Sequence, residues 1–303
     1  MRPLKPLYTT DHHEIPLPPG HKFPLQKYRM VRELLARDGL FAFCPAEFGE
    51  LSTIRLAHDA DYVAQFMSGT LAPSMMRRIG FPWSEGLIAR TLSSVGATLA
   101  ATREALATGW GGSLAGGTHH AFRAEGSGFC VFNDIAVAIC DLFERNAIKR
   151  AAVVDLDVHQ GDGTAEIFEG DERVFTLSIH SKTNFPFRKK QSRLDIELHD
   201  GVEDEVYLRT LDSALPSVFS HEPDIVFYQS GVDGLWSDAL GHLRLTHEGL
   251  MERDRRVFES VCVRGIPIVV TIGGGYSKPI ERTVEAHANT YRTAAEVFCM
   301  ITA

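Results

Sequence analysis

The sequence predicts an α/β protein with a mostly parallel central sheet flanked by helices, in a single domain spanning residues 1–303. Three observations carry this expectation. Short apolar runs rich in β-branched residues alternate with longer segments of helical period, the pattern of βαβ units. No Gly/Ser- or Pro-rich linker and no internal repeat divides the chain. At 303 residues, 44% hydrophobic and 23% charged, the chain can bury a core large enough for one α/β domain.

The elements follow in order. Helical period runs through "PLQKYRMVRELLARDG" (24–39), "EGLIARTLSSVGATLAATREALATG" (85–109) and "NDIAVAICDLFERN" (133–146). "RAAVVDLDV" (150–158), "VFTLSIH" (174–180) and "DIVFYQS" (224–230) read as inner strands, because each is a short apolar run without internal breakers. "THEGLMERDRRVFESVCVRG" (246–265) reads as a helix, with Thr246 as N-cap and Gly265 as stop. "IPIVVTIG" (266–273) is a fourth inner strand, and a last helix is expected from about Lys278 to near the C-terminus, with Pro279 tolerated in its first turn.

Composition narrows the functional classes. Lys+Arg 31 against Asp+Glu 39 gives a net charge of −8, which argues against a phosphate-backbone binder. The five cysteines (Cys44, Cys130, Cys140, Cys262, Cys299) are scattered and form no C-x-x-C pair, so they read as reduced thiols of a cytoplasmic protein. The N-terminal segment lacks the apolar core of a signal peptide, and no uncharged apolar run is long enough to span a bilayer.

Polar residues collect where the four strands end. Asp157 and His159 follow the first, Ser178 and His180 close the second, Asp233 follows the third, and "GGGYS" with Tyr276 follows the fourth. In an open α/β sheet, ligands bind outside the carboxyl ends of the strands, so four separate segments should converge on one place.

Carboxylates and imidazoles are costly to bury unless paired or bound to a cation. "VVDLDVHQGDGTAEIF" (153–168) carries Asp155, Asp157, His159 and Asp162 among two glycines. Asp157 and His159 are two apart, so in an extended segment their side chains leave the same face. Asp233 would complete a three-ligand set with a position open for water and substrate, as in catalytic zinc sites. The oxygen–nitrogen donor set fits zinc, iron or another first-row divalent metal. By spacing alone, Asp157 and His159 are equally compatible with a helix N-cap and a surface imidazole, and Asp233 with a plain turn residue.

Two further constellations stand beside this one. In "GGTHHAFRAEGSGFCVFND" (116–134), the adjacent His119 and His120 sit among glycines, and a histidine near an activated water can act as general base and then general acid. As a bare dipeptide they also read as exposed loop histidines. Phe129, between small residues, could line a narrow channel or belong to the core. In "IGGGYS" (272–277), three glycines allow a sharp bend that exposes Tyr276, whose phenol could meet a developing oxyanion or pack.

Together with "YQSGVDGLWSDALGHLRLT" (228–246), these motifs resemble the successive signatures of the zinc-dependent histone deacetylase family, over nearly the whole chain. "GHKFPLQKYRMVRELL" and "HSKTNFPFRKK" look most like class IV-type and bacterial members. The resemblance implies the arginase/deacetylase fold and hydrolysis of N-acyl-lysine amides. It implies Asp157, His159 and Asp233 as zinc ligands, His120 as general base and His119 as a second imidazole. It further implies Asp162 and Asp155 as their carboxylate partners, Tyr276 as oxyanion donor, and Gly128, Phe129 and Phe185 along the acyl-lysine channel. A monovalent cation such as K+ would be held by Asp155, Ser178 and main-chain groups that include Ile179.

The chain departs from the family pattern at three points. Gln160 stands where many members have a second histidine, Ile272 replaces the first glycine of the commoner G-G-G-G-Y run, and the class I substrate-binding loop has no obvious counterpart. None removes a ligand or an acid–base group, but substrate identity stays open. The expected partner is an acylated lysine in a protein or peptide, or a small acylated amine, with no nucleic acid and no membrane. An acetylpolyamine amidohydrolase would use the same residues. An arginase-type enzyme would need two metals and more carboxylates, and a non-catalytic reader of acyl-lysine would have no use for the full set.

Overall fold

The structure, a computed structural model, describes residues 4–300. Its elements are β1 (Lys5–Thr9), α1 (Gln26–Ala36), β2 (Phe41–Pro45), α2 (Leu51–Ile54), α3 (Ala60–Ser68), α4 (Pro73–Ile79), α5 (Glu85–Thr108) and β3 (Trp110–Ser113). There follow α6 (Asp134–Glu144), β4 (Ala151–Asp155), α7 (Asp162–Ile167), β5 (Val174–Ser181), β6 (Leu194–Leu198), α8 (Asp204–Ser220), β7 (Ile225–Gln229), α9 (His247–Cys262), β8 (Ile268–Thr271) and α10 (Glu281–Met300). The strands form one eight-stranded sheet in the order β2-β1-β3-β8-β7-β4-β5-β6. Every pairing between them is parallel, so the expected mostly parallel sheet is parallel throughout.

A parallel sheet is covered on both faces, which requires strands that are apolar at every position rather than at alternate ones. β4, β7 and β8 meet this requirement residue by residue. Ala152, Val154, Val226, Tyr228, Ile268 and Val270 enter one core layer, beneath α1, α8, α9 and α10. Their neighbours Ala151, Val153, Ile225, Phe227 and Val269 enter the other, beneath α3, α5 and α6. The helices supply complementary apolar stripes, such as Leu250, Val257 and Val261 of α9 and Leu87 and Val95 of α5. Thr246 caps α9 as the sequence suggests, its Oγ1 accepting from Gly249 N at 2.9 Å.

Most elements begin or end within a few residues of the sequence reading, and two of the differences bear on the site or its neighbourhood. The strand expected over 150–158 ends at Asp155. Asp155 Oδ1 accepts from Asp157 N at 3.2 Å and Asp157 Oδ1 from His159 N at 3.0 Å, so side-chain bonds two residues ahead replace the ladder and turn the chain. Asp157 and His159 therefore meet through a bend, not along one face of an extended strand. The last helix starts at Glu281, and Pro279 lies ahead of it in a turn that Arg282 N closes on the Pro279 carbonyl.

Parallel strands all deliver their carboxyl ends to one edge of the sheet. The segments after β3, β4, β7 and β8 meet there, and the site is built from them.

Candidate metal centre and its cavity

Asp157, His159 and Asp233 are buried and offer ligand atoms that all lie within 4.8 Å of one another. His159 Nδ1 stands 3.0 Å from Asp157 Oδ1 and 3.0 Å from Asp233 Oδ2. Asp233 Oδ1 accepts from Val158 N at 2.8 Å, so the loops after β4 and β7 brace each other. The segment after β8 closes the third side: Gly274 N donates to Asp157 Oδ2 at 2.8 Å, and a Cβ on Gly274 would come within 1.9 Å of Asp233 Oδ2. Only glycine lets the backbone approach both carboxylates this closely.

The electrostatics demand a positive charge at this point. Burial and the neighbouring Asp157 charge push the Asp233 carboxyl up to about 7. Burial opposes protonation of His159, yet its bonds to Asp157 and Asp233 raise the imidazole to about 10. Two buried carboxylates around one imidazole thus draw in a cation, either a proton or a metal. A three-ligand oxygen–nitrogen set fits zinc or another first-row divalent ion with a position left open.

Beside this triad stand two histidine–carboxylate pairs. His119 Nδ1 lies 2.7 Å from Asp155 Oδ2, and His120 Nδ1 lies 2.6 Å from Asp162 Oδ1. The two rings are 4.1 Å apart, and their environments divide them. Burial opposes charge on His119, but the Asp155 and Asp157 carboxylates prevail and raise it to about 9. Burial, reinforced by the His119 charge, lowers His120 to about 4. The two surroundings thus pull in opposite directions, towards the charged form at His119 and the neutral form at His120.

The triad and the two histidines, though not Asp155 or Asp162 behind them, line a cavity of about 470 Å³. Gly128, Phe129, Phe185 and Tyr276 also line it. Phe185 meets the His120 ring edge-on at 4.9 Å, and Gly128, in the left-handed region at φ 54°, fits between them: a Cβ there would lie 2.7 Å from the His120 ring and 3.3 Å from Phe185. Phe129 lines the cavity as part of an aromatic cluster with His21, Phe23 and Phe81, 6.4 Å from the Tyr276 ring. Burial pushes the Tyr276 phenol well above its ordinary pKa, so it stays protonated. Asp155 and Ser178 pair across β4 and β5, next to Ile179, and Ser178 Oγ bonds His180 Nδ1 at 2.9 Å.

The structure also shows supports that sequence reasoning left unassigned. Asp238 Oδ2 accepts from Tyr276 N at 2.6 Å, fixing the backbone that carries the phenol. Asn184 bonds Leu240 O and His242 N, tying the segment that bears Phe185 to the one after β7. Buried Asp134 accepts from the main-chain N–H groups of Gly117 and Thr118, just before the histidine pair. Asp134, which opens α6, and Asp238, in the loop after β7, both lie inside motifs read for other residues, and an acidic residue within each motif was the available signal. Gln160 bonds Lys190 O and Asp195 Oδ1, each at 2.7 Å, and receives Lys190 N, so it fastens the loop of Asp157 and His159 to the Phe185-bearing segment.

Sheet and site define a class: parallel α/β proteins with a carboxylate–imidazole cluster set at the strand carboxyl ends. Within that class the chain belongs to the histone deacetylase family, whose domain model matches residues 21–291. It is 43% identical over 288 residues to an uncharacterized protein of Picosynechococcus sp., covering 93% of this chain and 96% of that one. It is 36% identical over 278 residues to histone deacetylase 2 of Arabidopsis thaliana, covering 87% of this chain and 72% of the relative. Histone deacetylase 3 of Oryza sativa subsp. japonica is 30% identical over 297 residues, 85% of this chain and 55% of the relative. Among the described residues, no helix is long and apolar enough to cross a membrane.

Proposed function

We propose that residues 1–303 act as one zinc-dependent catalytic domain that hydrolyses the amide of an N-acyl-lysine in a protein or peptide. The observation that carries this reading is that one cavity is lined by the Asp157–His159–Asp233 triad, a neutral histidine paired to a carboxylate, and a protonated phenol. The names of the relatives, histone deacetylases, point to the same chemistry.

Asp157, His159 and Asp233 would hold the zinc, which when bound supplies Lewis-acid polarisation of the acyl carbonyl and acidifies water. His120 has its Nδ1 engaged by Asp162, which leaves Nε2 free to take the proton of the attacking water. The same imidazole, once charged, returns that proton to the departing lysine amine. His119, kept cationic by Asp155, adds positive charge beside the oxygen that becomes negative. Tyr276 donates its phenol proton to that oxygen, a bond that strengthens as charge develops. Gly128, Phe129 and Phe185 form the walls along which the acyl-lysine stem lies. Asp155 and Ser178, with main-chain groups that include Ile179, would hold a K+ ion; removal of K+ at constant ionic strength should then change turnover.

A peptide is favoured over a free polyamine. Asp157 and Asp233 are the only carboxylates among the described residues lining the cavity, and both belong to the triad, so a polycationic amine finds no acidic partner there. The test is a side-by-side measurement of turnover on acetyl-lysine peptides, longer acyl-lysine peptides and acetylated polyamines, with zinc content determined on the same preparation. Faster turnover of acetylated polyamines would reverse the substrate assignment, and absence of amide hydrolysis by zinc-loaded protein would remove the catalytic reading.

A further inference from the structure

We propose that Arg253 is a positioning residue for the metal centre, a guanidinium clamp on the backbone of the two loops that carry Asp157 and Asp233. The proposal rests on the reading above that these two carboxylates hold the metal.

Arg253, on α9, is 0% exposed and its neighbour Asp254 1%. Buried ion pairs of this kind seldom stabilise a fold more than apolar side chains of the same volume would, so their placement calls for another reason. Here the reason lies in what the rest of the guanidinium touches. Nε and Nη2 contact Asp254 Oδ1 at 2.9 and 2.7 Å. The remaining donors leave the pair and reach the site: Nη1 donates to Gly231 O at 2.7 Å and to Leu156 O at 3.3 Å, and Nη2 to Ser230 O at 3.4 Å. Leu156 immediately precedes Asp157, and Gly231 lies two residues before Asp233.

Gly231 is the hinge of the argument. Its carbonyl is held by Arg253, while its α-carbon packs against the other ligand: a Cβ on Gly231 would come within 2.1 Å of Asp157 Oδ2. A shift of this peptide therefore moves the wall of Asp157 and the base of the Asp233 loop together. The clamp is itself anchored, because Asp254 accepts from Thr290 Oγ1 at 2.6 Å and from the Tyr228 phenol, linking α10 and β7 to the same carboxylate. A planar fork with five fixed donors can span two loops and one carboxylate at once. A lysine ammonium in its place has the charge but cannot reach all of them.

The experiment compares zinc affinity, by competition with a chelating dye, and the visible spectrum of the Co²⁺-substituted protein across variants, beside the melting temperature of the metal-free chain. Arg253→Lys should fold, bind zinc about ten- to a hundred-fold more weakly, as loss of an outer support around a metal site typically does, and show an altered Co²⁺ spectrum. Thr290→Val, which loosens the anchor without touching the loop carbonyls, should lower the melting temperature and leave zinc affinity within about two-fold, far less than that typical loss. The clamp is refuted if Arg253→Lys binds zinc like the wild type. It is equally refuted if Thr290→Val weakens zinc as much at the same loss of melting temperature, for then Arg253 is only structural. Should Arg253→Lys fail to fold, Arg253→Gln combined with Asp254→Asn, which removes the clamp without leaving a buried charge unpaired, is measured in its place, and wild-type zinc affinity with an unchanged Co²⁺ spectrum in it overturns the proposal. Wild-type protein that binds no zinc would instead overturn the underlying metal assignment.

Discussion

His159 Nδ1 stands 3.0 Å from Asp233 Oδ2, a carboxylate supplied 74 residues further along the chain and from a different strand end. That contact joins the loops after β4 and β7 and makes Asp233 the member of the triad whose removal is most informative. Asp233→Ala should leave the chain folded, since the sheet does not depend on it, while most bound zinc and turnover on acetyl-lysine peptide are lost. Metal analysis with circular dichroism checks this, and a variant with stoichiometric zinc and wild-type turnover would exclude Asp233 as a ligand.

The two neighbouring histidines should separate in kinetics. His120 is neutral and paired to Asp162, so His120→Ala should lower kcat by about a hundred-fold or more with zinc retained and KM little changed. His119 is held cationic by Asp155 and adds charge instead of accepting a proton, so His119→Ala should cost less. Steady-state kinetics on one peptide decide it. A larger kcat loss in the His119 variant exchanges the two roles.

Tyr276→Phe keeps the ring, its neighbour Phe129 and the main-chain bond to Asp238, and deletes only the phenol. Loss of one such donor to a developing oxyanion costs on the order of a hundred- to a thousand-fold in kcat. Zinc content and melting temperature should not move. Wild-type turnover in this variant would reduce the tyrosine to packing.

Acid stability offers a test away from the triad. His58 Nδ1 bonds Phe122 O at 2.9 Å and its Nε2 accepts from Asn133 N at 2.8 Å, an arrangement that needs the neutral ring and frames the loop of His119 and His120. Burial lowers this histidine from 6.5 to about 4, so as pH falls the unfolded chain takes up the proton first. The stability it contributes is therefore complete above about pH 6.5 and declines towards pH 4, by up to about 3 kcal/mol. Urea unfolding in the presence of a chelator, from pH 8 to pH 4, should show this slope, and His58→Gln should flatten it. Parallel slopes in the two proteins would assign the acid sensitivity elsewhere.

The inner strands and the long helices were legible in the sequence because burial leaves a linear mark. β4, β7 and β8 are apolar at consecutive positions since both faces of the sheet are covered, and α9 announces itself by Thr246 and its period. Other strands left no such mark, two of them, β1 and β3, lying inside the sheet. β3 is Trp-Gly-Gly-Ser, β1 contains Pro6, and β6 alternates acidic with apolar residues because its side chains are mostly half-exposed, so each is a strand only through the neighbour it pairs with. α8 was hidden by Pro216 within it.

The same division holds for the site. The sequence by itself determined which chemical groups follow each strand and, through the parallel pattern, that they gather at one edge. It could not determine that Asp155 and Asp157 would bend the chain with their own carboxylates, or that the surroundings of His119 and His120, adjacent in sequence, would shift their proton affinities in opposite directions. Nor could it determine that Arg253, in the middle of a helix, would reach the carbonyls behind both carboxylates. Those outcomes depend on hydrogen bonds and Coulomb interactions between residues far apart in the chain, which act over a few ångströms and exist only once tertiary packing has removed the water between them.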